Sequence, residues 1–305
     1  MLLSEKLYNI KKRLVKWFKN YFTIEGLYTC IFPDKMYIKK IYRKKTGKNI
    51  NLQTPRTFNE KCNWIKLYDR NPIYTVMADK YLARQYINER IGDSHLIPLI
   101  GVWNNADDID FDSLPEKFVI KCNHDNGVII CHDKKSLNFE EVRNNLNSRL
   151  KRNYYKKYRE WPYKNIPRKI ICEKLLENSN GKNLLEYNVF CFNGVPKFFK
   201  VGSVLHDGTL AKDFYDIDWN HLDMTTGASA GDIFSKPIYY DKLLEIAKKL
   251  SEGTTHVRID FYDCDGKLYN GEMTFFSNGG HMKFNPEKWN FIWGECLTLP
   301  KKRRR

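Results

Sequence analysis

Residues 256–276 read "HVRIDFYDCDGKLYNGEMTFF". Two strand-like runs flank the turn pair Asp265-Gly266, which predicts an antiparallel hairpin. Alternate residues of a strand share a face, so His256, Arg258 and Asp260 point one way and Val257, Ile259 and Phe261 the other. On the second strand Glu272 and Thr274 oppose Met273 and Phe275. With a two-residue turn and an unbroken ladder, Glu272 falls on the face opposite Asp260. A three-residue loop, Cys264-Asp265-Gly266, instead sets Glu272 across from Arg258 and diagonal to Asp260. The expectation is therefore an odd-length loop or a bulge that brings both carboxylates to one face. Two readings follow. One is a structural Arg–Asp–Glu network on a solvated sheet face. The other is a hard divalent cation such as Mg2+ between the carboxylates, a polyphosphate completing its shell and Arg258 beside phosphoryl oxygens.

Upstream, "FVIKCNHDNGVIIC" (118–131) reads as strand, polar loop, strand. Lys121 sits in the apolar strand, and the loop Asn123-His124-Asp125-Asn126-Gly127 can approach phosphates through backbone N–H groups. His124 either donates to phosphate or caps the loop. Lys80, in a predicted helix, is either a second phosphate contact or a surface lysine. In "IICEKLLENSNGKNLLEYNV" (170–189) a strand leads to Glu173-Lys174-Leu175-Leu176, a suitable edge for an adenine, and Glu186 suits ribose hydroxyls.

The remaining pattern interleaves helices and strands. "TFNEKCNWIKLYDR" opens with Thr57 and has Glu60 three residues on, a capping-box signature. "TVMADKYLARQYINERIG" predicts one helix ending near Gly92, and "HLIPLIGVW" a short strand. "FEEVRNNLNSRLKRNYYKKYRE" predicts a long amphipathic helix, and "EYNVFCFNGVPKFFKVGS" a hairpin turning at Asn193-Gly194. "KLLEIAKKLSEG" is a helix closing at Gly253. The fold class is α+β, with mostly antiparallel hairpins.

Composition bounds the function. With 42% hydrophobic and 14% aromatic residues in 305, the chain can bury a large core and is not a disordered protein. No run of about 18 apolar residues exists, and Lys11, Lys12 and Arg13 interrupt any signal-peptide core. The eight cysteines include no CxxC pair, which argues against zinc and for a reducing cytoplasm. Of the net +16, residues 1–50 hold thirteen basic and three acidic groups, the tail "KKRRR" holds five basic groups, and the body holds 34 basic against 33 acidic. This places the basicity at the two ends and argues against a nucleic-acid groove through the fold. Leu3, Leu7, Ile10, Leu14, Trp17 and Tyr21 share one helical face. That segment is either a helix on an anionic membrane surface or one docked on the body.

Taken in order, these motifs resemble the ATP-grasp superfamily, and more closely its TupA-like members from bacterial surface-polysaccharide gene clusters. The resemblance covers about residues 52–292. It rests on "TFNEKCNWIKLYDR", "ADKYLARQYI", "LIPLIGVW", "FVIKCNHDNGVIIC", "EYNVFCFNGVPKF", "RIDFYDCDGKLYNGEMTF" and "FNPEKW". It implies an ATP-grasp fold in which two α+β subdomains clasp ATP between antiparallel sheets, after a mainly helical N-terminal region. The implied segments are a basic helical part at 1–50, a helical region at 51–115, a phosphate-loop subdomain at 116–180, a metal-site subdomain at 181–298 and a basic tail at 299–305.

By the same resemblance, ATP and Mg2+ are the cofactors. Lys80 and Lys121 hold phosphates, with His124, Asp125 and Gly127 in the covering loop. Glu173 is the adenine-side carboxylate, Lys174 to Leu176 the hinge, and Glu186 the ribose ligand. Arg258 and Lys121 are catalytic. Asp260, Glu272 and Thr274 bind metal, Thr274 standing where many relatives have Asn. Asn278, Gly279 and Gly280 form a substrate loop, and His281 and Lys283 receive no catalytic role. The implied reaction joins a carboxylate to an amine through an acyl phosphate. A uronic acid glycan and an amino acid or small amine are the expected substrates, and the basic termini suit a lipid-linked glycan at an anionic membrane.

Two other classes remain. The DxD triplets Asp110/Asp112, Asp216/Asp218 and Asp263/Asp265 admit a glycosyltransferase, although "YDIDW" (215–219) reads as structural. A kinase-like ATP-grasp protein would instead phosphorylate a glycan hydroxyl.

Overall fold

The computed structural model describes residues 32–204, 210–227 and 234–302. The helix expected at 3–22 and residues 303–305 of the basic tail lie outside the described residues. No helix among those described is long and apolar enough to cross a membrane.

Helix α1 (Asp34–Thr46) begins with an acidic residue, ends in Arg43, Lys44 and Lys45, and stops at a left-handed Gly47. Helix α2 (Phe58–Tyr68) has the predicted capping box. Thr57 Oγ1 accepts from the Glu60 N–H, and Glu60 Oε2 from the Thr57 N–H at 3.1 Å. Two otherwise orphaned helix-start donors are thereby satisfied.

The single helix expected through residues 75–92 is two. Helix α3 (Ile73–Ala78) stops at Asp79, and α4 (Ala83–Ile91) follows. Asp79 Oδ1 accepts from the N–H groups of Tyr81 (2.8 Å) and Leu82 (3.3 Å) and from Asn123 Nδ2 (2.8 Å). An aspartate side chain that bonds its own downstream backbone competes with the helix ladder, and here it wins.

Four strands form the smaller sheet: β1 (Leu99–Trp103), β2 (Phe118–Cys122), β3 (Val128–Cys131) and β4 (Ile170–Lys174), in the antiparallel order β1-β4-β2-β3. One face, with Phe118, Ile120, Ile170 and Cys172, packs on Val142 and Leu146 of α5 (Phe139–Leu150). Register puts Val119, Lys121, Val128, Ile130 and Glu173 on the other face. Because β1 pairs with β4, a segment boundary at 115 cuts through this sheet.

The larger sheet contains β5 (Leu185–Phe192), β6 (Val195–Val204), β7 (Leu210–Asp216), β8 (His256–Cys264) and β9 (Lys267–Thr274), in the antiparallel order β7-β6-β5-β8-β9. Beneath it, α7 (Tyr240–Ser251) contributes Leu243, Ile246, Ala247 and Leu250 to the core that holds Val189, Phe199, Val257 and Ile259. The same core takes in α2 to α4, so the early helices belong to the larger layer. The last helix, α8 (Lys288–Glu295), packs Trp293 on the opposite face, with ring centroids 4.8 Å from Phe198 and 4.6 Å from Phe190.

The long helix expected over residues 139–160 ends at Leu150. A short turn of helix, α6 (Tyr155–Tyr158), follows, and Arg159 then adopts a left-handed φ of 59°. Such a backbone costs a non-glycine residue about 1–2 kcal/mol. Arg159 is held there by Asp34 at 3.2 Å and by the Tyr37 ring, 4.2 Å from its guanidinium carbon.

Candidate active site between the two sheets

The β8–β9 hairpin decides the site. Its turn has two residues, Asp265 and Gly266, both with positive φ (52° and 77°), which is the turn that matches strand twist. The three-residue loop is therefore not used. Instead the ladder slips between Asp260 and Phe261: Phe261 pairs with Asn270, and Asp260 with Glu272. Gly271 is the extra residue of this β-bulge. A Cβ on Gly271 would lie 2.7 Å from the Tyr262 ring, a close approach that favours glycine. The bulge sets Glu272 directly opposite Asp260, not diagonal to it, and Thr274 opposite Arg258.

Arg258 organises this face. It donates to both Asp260 oxygens at 2.6 and 2.5 Å and to Glu272 Oε1 at 3.2 Å. Thr274 Oγ1 donates to Glu272 Oε1 at 3.0 Å, so the expected metal-ligating hydroxyl is engaged by the neighbouring carboxylate. Asp260 is 1% exposed, and burial pushes its carboxyl up to about 6 despite Arg258. Glu272 is also penalised by burial, but Lys80 and Arg258 outweigh this and hold it at about 2. Burial opposes charge on Arg258, yet Asp260 and Glu272 raise its pKa above the ordinary value. Two facing carboxylates are thus pushed apart in basicity by unequal burial and unequal cation contact.

The helix break at Asp79 brings in Lys80. Its backbone N–H donates to Asn123 O at 3.1 Å, and its Nζ donates to Asp125 O at 2.8 Å and lies 3.4 Å from Glu272. From the smaller sheet, Lys121 Nζ lies 2.7 Å from Glu173 Oε2, while Arg84 holds Glu173 Oε1 at 3.1 Å. Both oxygens of the implied adenine carboxylate are therefore occupied by cations, and Glu173 fixes the position of Lys121. The hinge differs as well, because the Lys174 N–H donates to Pro98 O at 2.9 Å.

Two cavities meet at this cluster. One, of about 460 Å³, lies between the sheets. It is lined by Val119, Val128, Ile130, Leu175 and Leu176 and by Lys121, Gly127, Glu173, Lys174, Glu186, Lys200 and Asp260. The other, of about 480 Å³, is lined by Tyr154, Tyr158, Tyr163, Phe276 and His281, by Lys45, Lys157 and Lys283, and by Asp125, Glu160, Thr274, Asn278 and Gly279. Lys80, Asn126, Arg258 and Glu272 line both. One chamber is largely aliphatic and the other aromatic and cationic, and the charge cluster is their common wall.

The predicted residues therefore converge, with exceptions. His124 is 1% exposed and lines neither cavity, so the structure takes it out of the phosphate-contacting part of the loop. Asp125 is buried and spent on structure: it accepts from the Gly127 N–H at 3.0 Å and from Arg149 at 3.0 Å. Gly280 does not reach the second cavity; its carbonyl accepts from Asn63 Nδ2 at 2.8 Å. The three DxD triplets are turn builders. Asp110 and Asp216 accept from backbone N–H groups at residues 112 and 218, and Asp263 from that of Gly266.

Several residues escaped the sequence reading. Lys200 stands in one cross-strand row with Asn188, Asp260 and Glu272. Burial, then Arg258, lower its pKa. Asn59, Asn63 and Lys66 form a buried stripe on α2 that binds the loop after β9. Asn59 pairs with both backbone groups of Met282, and Lys66 donates to Gly279 O at 2.5 Å. Residues 278–280 all have positive φ, which the two glycines adopt freely and which only Asn278 takes at a cost, and the stripe bonds the carbonyls of 279 and 280. The i, i+4, i+7 spacing of polar residues in an apolar helix was the available signal.

The family model described as TupA-like ATPgrasp matches residues 60–298. No curated protein matches the chain. Among solved structures, D-alanine–D-alanine ligase from Bacillus anthracis, complexed with ATP, is 14% identical, with a TM-score of 0.38 over 71% of this chain and 55% of that one. L-amino acid ligase from Bacillus licheniformis is 12% identical, with a TM-score of 0.46 over 82% and 57%. D-alanine–D-alanine ligase from Helicobacter pylori is 13% identical, with a TM-score of 0.43 over 81% and 68%. The chain thus spans a little over half the length of the first two.

Proposed function

The chain belongs to the TupA-like ATP-grasp family, and from that premise we propose that it is an ATP- and Mg2+-dependent carboxylate–amine ligase. The observation that carries this reading is the pair of chambers sharing Lys80, Arg258 and Glu272. The aliphatic chamber between the sheets suits a nucleotide, with phosphates at Lys80 and Lys121. The aromatic, cationic chamber suits an anionic acceptor.

The donor set fits Mg2+. It offers two opposed carboxylates, Asp260 and Glu272, with a hydroxyl beside them. Among the described residues no group of three or more His, Cys, Asp or Glu gathers as a metal site. One or two carboxylates with substrate phosphates is how this ion is commonly held. When bound, Mg2+ supplies charge neutralisation for phosphoryl transfer. The side chains do the rest. Lys80 and Lys121 hold the phosphates, and Arg258 faces the oxygens of the group in flight. The acceptor carboxylate, aligned by Lys80 and Arg258 on the wall that the chambers share, takes the γ-phosphoryl group and becomes an acyl phosphate. An amine then displaces phosphate and forms the amide.

We further propose that the acceptor is a uronic acid or similar carboxylate of a bacterial surface glycan, joined to an amino acid or small amine. The reaction would take place in the cytoplasm, with the basic ends meeting a lipid-linked substrate at the inner membrane face. The test is ADP release from the full chain with uronic acids and hydroxylamine, and mass spectrometry of the product. A hydroxamate formed together with ADP is expected. A phosphorylated hydroxyl, or nucleotide-sugar consumption without ADP, would overturn the ligase reading.

A further inference from the structure

Three carboxylates line the aromatic chamber, and their surroundings differ. Asp125 is bonded to the Gly127 N–H and Arg149, and Glu272 to Arg258 and Thr274. Glu160 is 4% exposed, and among the described residues its carboxylate closes no hydrogen bond and no ion pair. The cations whose field it feels are Lys66 and Lys157, and Lys66 is already committed to Gly279 O and Asn63 Oδ1. A buried carboxylate without a bonded partner is costly to the fold, several kcal/mol in typical cases. Such a group on a cavity wall is suited to a cationic ligand. Lys45, Lys157 and Lys283 line the same chamber, and they too close no ion pair among the described residues. One wall therefore offers an unpaired anion and unpaired cations within a single chamber.

We propose that Glu160 binds the ammonium group of the amine substrate and takes the proton that this group must lose, while the lysines Lys45, Lys157 and Lys283 hold a carboxylate of the same molecule. The amine substrate is then a zwitterionic amino acid. The inference rests on the ligase reading for its chemistry. The ammonium gives one proton to Glu160. The freed nitrogen lone pair forms the C–N bond to the acyl phosphate carbon. The C–O bond to phosphate breaks, and phosphate leaves with that electron pair and the second amine proton. Burial raises the basicity of Glu160, which suits a proton acceptor near neutral pH.

The proposal also accounts for the path of the chain. The left-handed Arg159 redirects the backbone after α6, so Tyr158 and Glu160 both reach the chamber while Arg159 turns to Asp34.

The experiment titrates the full chain with the proteinogenic amino acids and with ethylamine, read by saturation-transfer NMR, for wild type, E160D and E160Q. Saturable binding of an amino acid more tightly than ethylamine is expected. E160Q should weaken both at least about tenfold, the usual scale for losing a charge-assisted bond. E160D should retain part of the binding, and thermal melting should show both variants folded. No amino-acid binding to wild type, or equal binding by E160Q, overturns the proposal. A turnover arm separates it from the ligase reading. E160Q should lose amide formation with the bound amino acid by a larger factor than hydroxamate formation, because hydroxylamine is largely neutral near pH 7. Equal losses overturn the proton-acceptor role. Glu160-dependent binding without any ADP release leaves the ammonium site standing and removes the ligase reading.

Discussion

The β5–β6 and β8–β9 hairpins turn on Asn193-Gly194 and Asp265-Gly266, and all four turn residues have positive φ. Both hairpins also contain a bulge, near Lys197 in the first and at Gly271 in the second. Their middle strands pair with each other, placing Phe190 opposite Arg258 and Asn188 opposite Asp260. The chemistry nevertheless diverges along that shared face. At one end Phe190 and Phe198 close on Trp293; at the other Arg258, Asp260, Glu272 and Lys200 open onto cavities. The same backbone device therefore serves a core and a site. What differs is whether a helix covers the face, because only the uncovered end leaves room for a ligand to neutralise its charges.

The largest expected effect falls on the open end. Glu272→Gln should lower Mg2+-dependent ATP turnover about 10²- to 10³-fold, on the scale of losing one preorganised electrostatic contact. Urea unfolding should shift by no more than about 1 kcal/mol, because this side chain is 35% exposed and partly screened. A large stability loss with unchanged turnover would make the open end structural, like its neighbour.

Phe198→Ala tests the covered end. It removes a ring stacked on a fully buried tryptophan and should cost about 3–4 kcal/mol in urea unfolding. Turnover per folded molecule should remain within a few-fold of wild type. A selective loss of turnover would mean that the covered end also shapes the chambers.

The most gradual effect compares His256 and Asp260 on β8 by pH. Burial lowers His256 to about 4 and raises Asp260 to about 6. His256 favours the folded state only while neutral, so its contribution is lost as pH falls from 6.5 toward 4. Asp260 has the opposite sign: its raised pKa favours folding below the ordinary carboxylate range, and this is lost as pH rises through about 6. Each group contributes up to about 1.4 kcal/mol per pH unit in its window. Between pH 6.5 and 4, His256→Phe should flatten the acid loss of stability and Asp260→Asn should steepen it. Changes of the same sign in both variants would refute the assignment.

Much of the site was readable in the sequence because strand alternation has a period of two. The polar face of 256–260, the need for a compensating irregularity before Glu272, and Lys121 as a charge in an apolar strand follow from that period and from residue type, whereas the role of Lys80 was implied only by the family resemblance. The hairpin turns and the capping box were equally local, since each is set by a few adjacent residues. Tertiary structure decided what adjacency cannot encode. The irregularity became a bulge at Gly271 because the two-residue turn matches strand twist and Tyr262 packs against the glycine. A helix broke at Asp79 because Asn123, far away in the chain, shares its carboxylate. Glu173 became a partner for Lys121 and Arg84, and His124 was buried, because those contacts come from other elements. The polar stripe of α2 acquired its meaning only when the loop at 278–282 folded onto it. Periodicity thus determined which face each residue occupies, and long-range packing determined which faces meet.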